Sequence, residues 1–332
     1  NGRIYSEKGI VYDDYGRTAS YDKELQSSGI TTKVSIENSY STWNGELTKI
    51  MDRNSGKVLW ELKETNAKGM VLKAKLGAAT INNSYDSNDF LTNVHHASAV
   101  QADILKVKYT FDAIRNELTY RKTEGDFAIE EKFYYDDNNR LVNWTNPVTG
   151  VTPSSNKNVY DVKGRIMEND QVGTMKYENA SKIYRPTGMD LNASGTQNYD
   201  GDLIQSIQYN ENNDPVAING QKSRLGFYYG LTGMRQQVDL SVISTSGPIF
   251  GKVPPMPSAW RVIKSKFYDE EGSFEVVRDQ DTNQEKHILY IAGNPYDSNI
   301  IFVKDFAENT GSYKFLHKDY IGSILAITDE GG

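Results

Sequence analysis

One short pattern, written again and again, constrains this chain more than any other feature. Residues 11–17, VYDDYGR, place Tyr12 and Asp13 shortly before Gly16 and Arg17. The pattern returns in VYDVKGRI as Tyr160, Asp161, Gly164 and Arg165. In YYDDNNRLVNW it is Tyr135, Asp136, Asn139, Arg140 and Leu141, and in FYDEEGSFEVV it is Tyr268, Asp269, Gly272 and Phe274. Looser copies begin at Tyr40, Tyr85, Phe111, Tyr177 and Tyr209. The spacing is irregular, roughly 20–30 residues, in the range of supersecondary repeats.

Each part of the pattern has a physical task. The tyrosine ends a strand and lays its ring on the sheet. The aspartate starts a turn, because its carboxylate can accept backbone N–H groups about two residues on. Glycine or asparagine tolerates the positive φ that tight hairpins demand. Arginine opens the return strand, and the next apolar residue packs again. A lone hairpin cannot bury its apolar face, whereas stacked hairpins can, so the pattern predicts a continuous sheet that winds on itself.

The rest of the sequence is consistent with many short strands. Tyrosine is frequent, 22 of 332 residues, and apolar runs are bounded by Asn, Asp and Gly clusters. Alternation predicts one face for Val107, Tyr109 and Phe111, opposite Lys108 and Thr110, and one face for Val58, Trp60 and Leu62. Residues 95–109 are the one segment that could begin as a short helix. Length alone would suggest two or three domains, but the repeat predicts a single region over 1–332. A net charge of −7 with dispersed Lys and Arg argues against binding to nucleic acid or anionic membranes. No run approaches the ~18 apolar residues of a membrane span. With no cysteine, disulfides and thiolate chemistry are removed. That composition fits a secreted bacterial protein without fixing the compartment. No charged stretch followed by an apolar run marks a signal peptide, and the start at Asn1 suggests a piece of a longer protein.

Residues 11–17, 134–141, 159–166 and 267–274 resemble the Tyr-Asp repeats of the Rhs/YD-repeat family. That family includes bacterial Rhs polymorphic toxins, the cocoon subunits of insecticidal Tc toxins, and the related shells of teneurins. The most specific likeness is YKFLHKDYIGSILAITDEGG, residues 313–332, which resembles the segment that closes an Rhs core. Its matching residues are Tyr313, His317, Asp319, Tyr320, Ile321, Gly322, Ser323, Asp329 and Gly332. Residues 287–302 resemble the strand pair that precedes it. The resemblance implies an all-β fold of antiparallel hairpins wound into a spiral sheet and a hollow shell. It also implies that the shell encloses a C-terminal segment, often a toxin. The chain departs from the family in two ways. The Asp-Pro-x-Gly cleavage motif is absent, since Asp214-Pro215 is followed by Val216 and Ala217. A cleavage site and an effector are therefore expected beyond Gly332. The stretch 245–260 holds four of the nine prolines, interrupts the rhythm and cannot be an interior strand.

Several residue clusters invite a chemical interpretation. His95-His96 is the one histidine pair, but adjacent strand residues point to opposite faces, which disfavours a shared metal. Asp279, Asp281 and Asn283 have part of a calcium-loop spacing but lack its sixth-position Gly and twelfth-position Glu, which are Gln284 and Tyr290 here. Glu130-Glu131 and Asp136-Asp137 could supply paired carboxylates for glycoside hydrolysis, although turns also need carboxylates. His317 and Asp319 could be an acid–base pair, but their i, i+2 spacing suits one face of a closing hairpin. Trp43, Trp144 and Trp260 could stack on sugars or simply pack. No nucleophile elbow or phosphate-binding loop is written.

Together these features lead to a non-enzymatic structural protein, secreted or on a bacterial surface, with no cofactor and no metal. Its expected partner is its own effector or sorting region beyond Gly332, with export machinery or carrier proteins. Neither nucleic acid nor membrane insertion is expected. The alternatives are an adhesive or carbohydrate-binding surface protein, and a glycosidase-like β-solenoid. The closing segment is expected to complete the wall, with Gly322 at a positive φ. The alternating stretch SILAITD, 323–329, puts Ile324, Ala326 and Thr328 on one face and Leu325, Ile327 and Asp329 on the other, and aliphatics on both faces predict cover on both sides.

Overall fold

Turns of the Tyr-Asp type reverse the chain so often that strands dominate it. A computed structural model describes residues 2–125, 128–199, 202–243 and 260–332. Among these are 26 strands and one short helix, Ala193–Asn198, whose N-cap Asn192 accepts from Gly195 N–H at 2.7 Å. The strands form antiparallel sheets of twelve, four and ten, none closed into a barrel. Within each sheet the strands hydrogen-bond in chain order without crossovers. The proline-rich stretch, apart from Trp260, lies outside the described residues.

The chain divides into two compact units. The first comprises Asn1–Lys132, Glu271–Val276 and Glu285–Gly332; the second comprises Phe133–Glu270 and Val277–Gln284. In the first, strand alternation builds an apolar core. Leu25, Val34, Ile36, Leu59, Val107, Leu289 and Phe315 are among its most buried residues. Strand Leu105–Asp112 buries Leu105, Val107 and Tyr109 and exposes Lys108 and Thr110, as a two-residue period requires. Phe315 fills the space beside Gly77, where a Cβ would stand 2.4 Å from its ring and where φ is +57°. Glycine at position 77 therefore admits the largest fully buried side chain of the unit.

The second unit is built differently. Among its described residues Ala217 alone joins the list of buried apolar side chains. Its buried groups are mostly polar. Asp239 accepts from Ser265 Oγ at 2.6 Å, and the Lys157 ammonium sits 4.6 Å above the Trp144 ring. Short hairpins held at their turns, rather than a deep core, give this unit its order.

Two sequence expectations need correction. Residues 95–109 do not start a helix: strand Leu91–Ala97 continues through His95 and His96 and pairs with Leu105–Asp112, His96 opposite Leu105. Val94 and His96 both point inward, and that two-residue period suits a strand. In strand Val58–Thr65 the buried residue is Leu59, while Val58, Trp60 and Leu62 are half-buried. The pairing shifts between Ile50–Trp60 and Met51–Val58, so Leu59 is an extra residue bulged into the core. A bulge inverts the face read from simple alternation.

The bulge has a measurable consequence. Leu59→Ala is expected to lower stability by about 2–5 kcal/mol, the usual range for a buried leucine. Val58→Ala should cost clearly less. Chemical denaturation of both variants checks the order, and a larger loss at Val58 would contradict the bulged register.

Candidate functional site

The Tyr-Asp motif folds into one five-residue turn, repeated with the same bonds. In the copy at Asp136 the carboxylate Oδ1 accepts from the N–H groups of Asn138 (2.9 Å) and Arg140 (3.0 Å). Oδ2 accepts from Arg140 Nε at 2.7 Å and pairs with Nη2 at 2.6 Å. Asp136 N–H donates to Arg140 O, and Asn139 N–H donates to Asp136 O, both at 3.0 Å. Asn139 has φ +59°. Asp13 with Arg17 and Asp161 with Arg165 repeat these contacts, with Gly16 (φ +77°) and Gly164 (φ +81°) in the fourth place. The arginine's hydrogen bond, against a smaller burial effect, holds the Asp136 carboxyl below the usual range. Burial opposes the same lowering at Asp13 and Asp161, where the hydrogen bonds of Arg17 and Arg165 outweigh it.

The same arginine reaches the next hairpin. The Arg17 guanidinium lies 4.4 Å above the Tyr40 ring, Arg140 lies 4.6 Å above Tyr160, and Arg165 lies 4.7 Å above Tyr177. Each tyrosine hydroxyl then donates back to the carbonyl just after that arginine. Tyr40 donates to Thr18 O at 2.9 Å, Tyr160 to Leu141 O at 3.0 Å and Tyr177 to Ile166 O at 2.9 Å. The aspartate thus orients an arginine, the arginine covers the following tyrosine, and the tyrosine returns to the arginine's own strand. Tyr12 ends the edge strand Ile4–Tyr12 and is largely exposed. Tyr268 ends strand Trp260–Tyr268, with the Arg235 guanidinium 5.9 Å from its ring. After Asp269, the fourth turn residue Gly272 has φ +71°.

The closing segment carries a variant of this turn. Asp319 Oδ1 accepts from Ile321 N–H (3.1 Å) and Ser323 N–H (2.7 Å), and Gly322 has φ +88°. Ser323 stands where other copies have arginine. Arg121, from a distant strand, takes the arginine's place, with Nη1 3.6 Å from the buried Asp319 Oδ2. Two residues earlier His317 is fully buried, its Nδ1 2.8 Å from Nδ1 of His96 and its Nε2 3.0 Å from Thr328 Oγ1. Burial pushes His317 down to about 4. Burial, and then the facing His317, pushes His96 down to about 3. His287 is likewise buried, between Thr32 Oγ1 (2.9 Å) and Glu285 Oε2 (3.2 Å). Burial lowers its pKa against the pull of Glu285.

The strand Ile324–Thr328 corrects another expectation. Ile324, Leu325 and Ile327 are 49%, 45% and 58% exposed, so it is not covered on both faces. It is the last strand of its sheet and pairs with one neighbour, Thr310–Lys318. An added Cβ on Gly322 would have no neighbour nearer than 4.0 Å. Its constraint is therefore the backbone, not space. Asp329 opens a further turn, with Oδ1 accepting from Gly331 N–H at 2.8 Å.

The other clusters resolve into local bonds. Glu131 is held by Arg121 through Nε and Nη2, each at 2.7 Å, and Asp136 by its own turn. Asp279 Oδ1 accepts from Asp281 N–H and Thr282 N–H, Asp281 pairs with Arg261, and Asn283 accepts from Arg278. His95 points away from His96 to Asp103 Oδ1 at 2.8 Å. Among the described residues no group of three or more His, Asp or Glu side chains is placed to hold a metal. Trp43 is 92% exposed, Trp144 lies under Lys157, and Trp260 is half-buried.

No family model matches the chain, and no curated protein matches it. Solved structures do. The crystal structure of TcdB2-TccC3-TEV aligns over 98% of this chain and 19% of its own, with TM-score 0.55 and 11% identity. TcdB2-TccC3 aligns over 97% and 20%, with TM-score 0.56 and 10% identity. A Photorhabdus luminescens Tc holotoxin pore with a mutated TccC3 aligns over 96% and 19%, with TM-score 0.52 and 11% identity. The chain thus spans about a fifth of the length of these proteins, and what it shares with them is the fold.

Two predictions come from this geometry. The folded state holds His96 and His317 neutral, with pKa values below the ordinary 6.5, so the unfolded chain binds more protons as pH falls. Their contribution is complete above pH 6.5 and declines from there toward pH 4, by at most about 1.4 kcal/mol per pH unit for each histidine. Denaturation between pH 7 and 4.5 should show a shallower decline for the His96→Leu/His317→Leu double variant than for the unaltered protein. Equal slopes would show that the pair does not resist protonation. At the turn, Gly322→Val should cost about 1–2 kcal/mol from the left-handed backbone alone. Gly322→Asn should cost a few tenths at most, because Asn139 occupies the equivalent place at φ +59°. Thermal unfolding separates them, and equal losses would rule out the backbone as the cause.

Proposed function

We propose that this chain is a non-enzymatic wall segment of a secreted, Rhs-type β-shell that encloses or presents a C-terminal region of the same polypeptide. The observation that carries it is the turn-to-turn lock of Asp, Arg and Tyr. It accompanies strands that lie in chain order within each sheet, in a fold shared with TcdB2-TccC3 over nearly the whole chain. In this reading the aspartates and arginines of the motif are structural, the carboxylates of Asp13, Asp136 and Asp161 each being spent on a turn and an arginine. The region 1–332 acts as one repeat wall, and 313–332 is its closing segment, fixed by Asp319, Gly322 and Ser323. Likeness to components of a Tc holotoxin supports partner proteins, extracellular delivery and a role in containment rather than turnover.

Protease protection of the full-length protein tests the proposal. A segment following Gly332 should resist digestion in the native protein and become sensitive once the shell is unfolded by denaturant. Digestion in the native protein as fast as in the isolated segment would contradict containment. Glycan binding by the native protein, with no such protection, would favour the adhesive alternative. A robust hydrolase turnover abolished by Glu130→Ala or Asp136→Ala would overturn the non-enzymatic assignment.

A further inference from the structure

One arginine of the series has lost its aspartate. At Arg17, Arg140 and Arg165 an aspartate four residues earlier takes Nε at 2.7 Å. Around Arg185 the turn is longer. Asn179 Oδ1 accepts from Ser181 N–H (2.9 Å) and Lys182 N–H (3.1 Å), and a second turn follows, with Arg185 N–H donating to Lys182 O at 2.9 Å. The arginine now lies six residues after the turn-starting side chain, and the fourth residue before it is Ser181. The ring contact is kept, since the Arg185 guanidinium stands 3.9 Å above Tyr209. Nη2 donates to Asn213 Oδ1. Among the described residues no carboxylate pairs with Arg185, and its Nε has no acceptor.

The surroundings leave room for the missing group. Two cavities of about 500 and 390 Å³ share Arg185, Pro186 and Tyr209 in their walls. Such volumes are within the range of ligand pockets. Lys182 adds a second cation to the larger cavity, and no acidic residue lines either one. Met189, Ile204 and Ile207 give the smaller an apolar side.

We propose that Arg185 is the centre of a docking site for an acidic peptide, whose aspartate or glutamate carboxylate takes the seat that Asp13, Asp136 and Asp161 fill in their own turns. Guanidinium matches carboxylate geometry through paired N–H donors, and those charge-assisted bonds are the strong ones. A peptide fits better than an acidic sugar. The two cavities share Arg185, Pro186 and Tyr209 in their walls, so an extended chain bound at the guanidinium can place a neighbouring apolar side chain against Met189 and Ile204. An acidic sugar could supply the carboxylate but no apolar side chain to cover Met189, Ile204 and Ile207. The site goes beyond the wall function and stands or falls independently of it.

Titration of the full chain with a capped Gly-Asp-Leu-Gly peptide, its Asn counterpart and free galacturonate tests the site. The Asp peptide should bind at least tenfold more tightly than the Asn peptide, and galacturonate more weakly than the Asp peptide. Arg185→Gln should lose tenfold or more. Asn213→Asp keeps the shape of the side chain and puts a carboxylate on the guanidinium from within, so it should compete and weaken the peptide without unfolding the chain. No binding of the Asp peptide, equal binding of the Asn peptide, tighter binding of galacturonate, or unchanged affinity in the folded Asn213→Asp protein would overturn the proposal.

Discussion

The contact on which the repeat geometry depends is the aspartate-to-arginine bond inside the hairpin turns at Asp13, Asp136 and Asp161. It costs the chain little, because the partners are four residues apart and the turn itself brings them together. An exposed ion pair of this kind contributes little by itself. Its effect is positional: the carboxylate fixes the guanidinium where the next tyrosine will lie, and a fixed cation over an aromatic face is favourable even near water. The tyrosine hydroxyl then closes the circuit on a backbone carbonyl. Register between successive hairpins is therefore set at their turns as well as by hydrophobic packing along the strands.

The two units rely on this device to different degrees. The first adds a conventional core and seals it with buried polar contacts, among them Tyr313 on Asp52 and His96 on His317. Removing one member of such a contact leaves the other without its partner, which costs more than the bond contributes. The second has little buried apolar surface among its described residues, so its turns and ring contacts carry more of the burden. Arg185 shows what happens when the turn lengthens by two residues: the ring contact survives and the carboxylate is lost.

Local chemistry made the hairpins legible in the sequence. Asp136, Asn139 and Arg140 predict their turn from residue types alone, and a glycine such as Gly322 marks a left-handed position because few other residues tolerate one. Contacts between distant residues were not legible. His96 and His317 are 221 residues apart, and nothing in either neighbourhood points to the other. Alternation showed that His96 faces away from His95 but not what it faces. Leu59 was misplaced because a bulge leaves no mark on hydrophobic pattern. The exposure of Ile324 and Ile327 was missed because a buried strand and an uncovered edge strand can be written with the same aliphatic residues.

A lock between hairpins requires that the arginine of one turn be energetically coupled to the tyrosine of the next. A double-mutant cycle on Arg140→Gln and Tyr160→Leu, read by chemical denaturation, measures that coupling apart from the cost of either change alone. A coupling of about 0.5–1 kcal/mol is expected, the range of exposed cation–ring contacts. Additivity within about 0.3 kcal/mol is expected for the control pair Arg140 and Tyr177, whose ring is covered by Arg165 instead. Additive effects for Arg140 and Tyr160 as well would mean that the turns are only neighbours, and that the lock between hairpins does not exist.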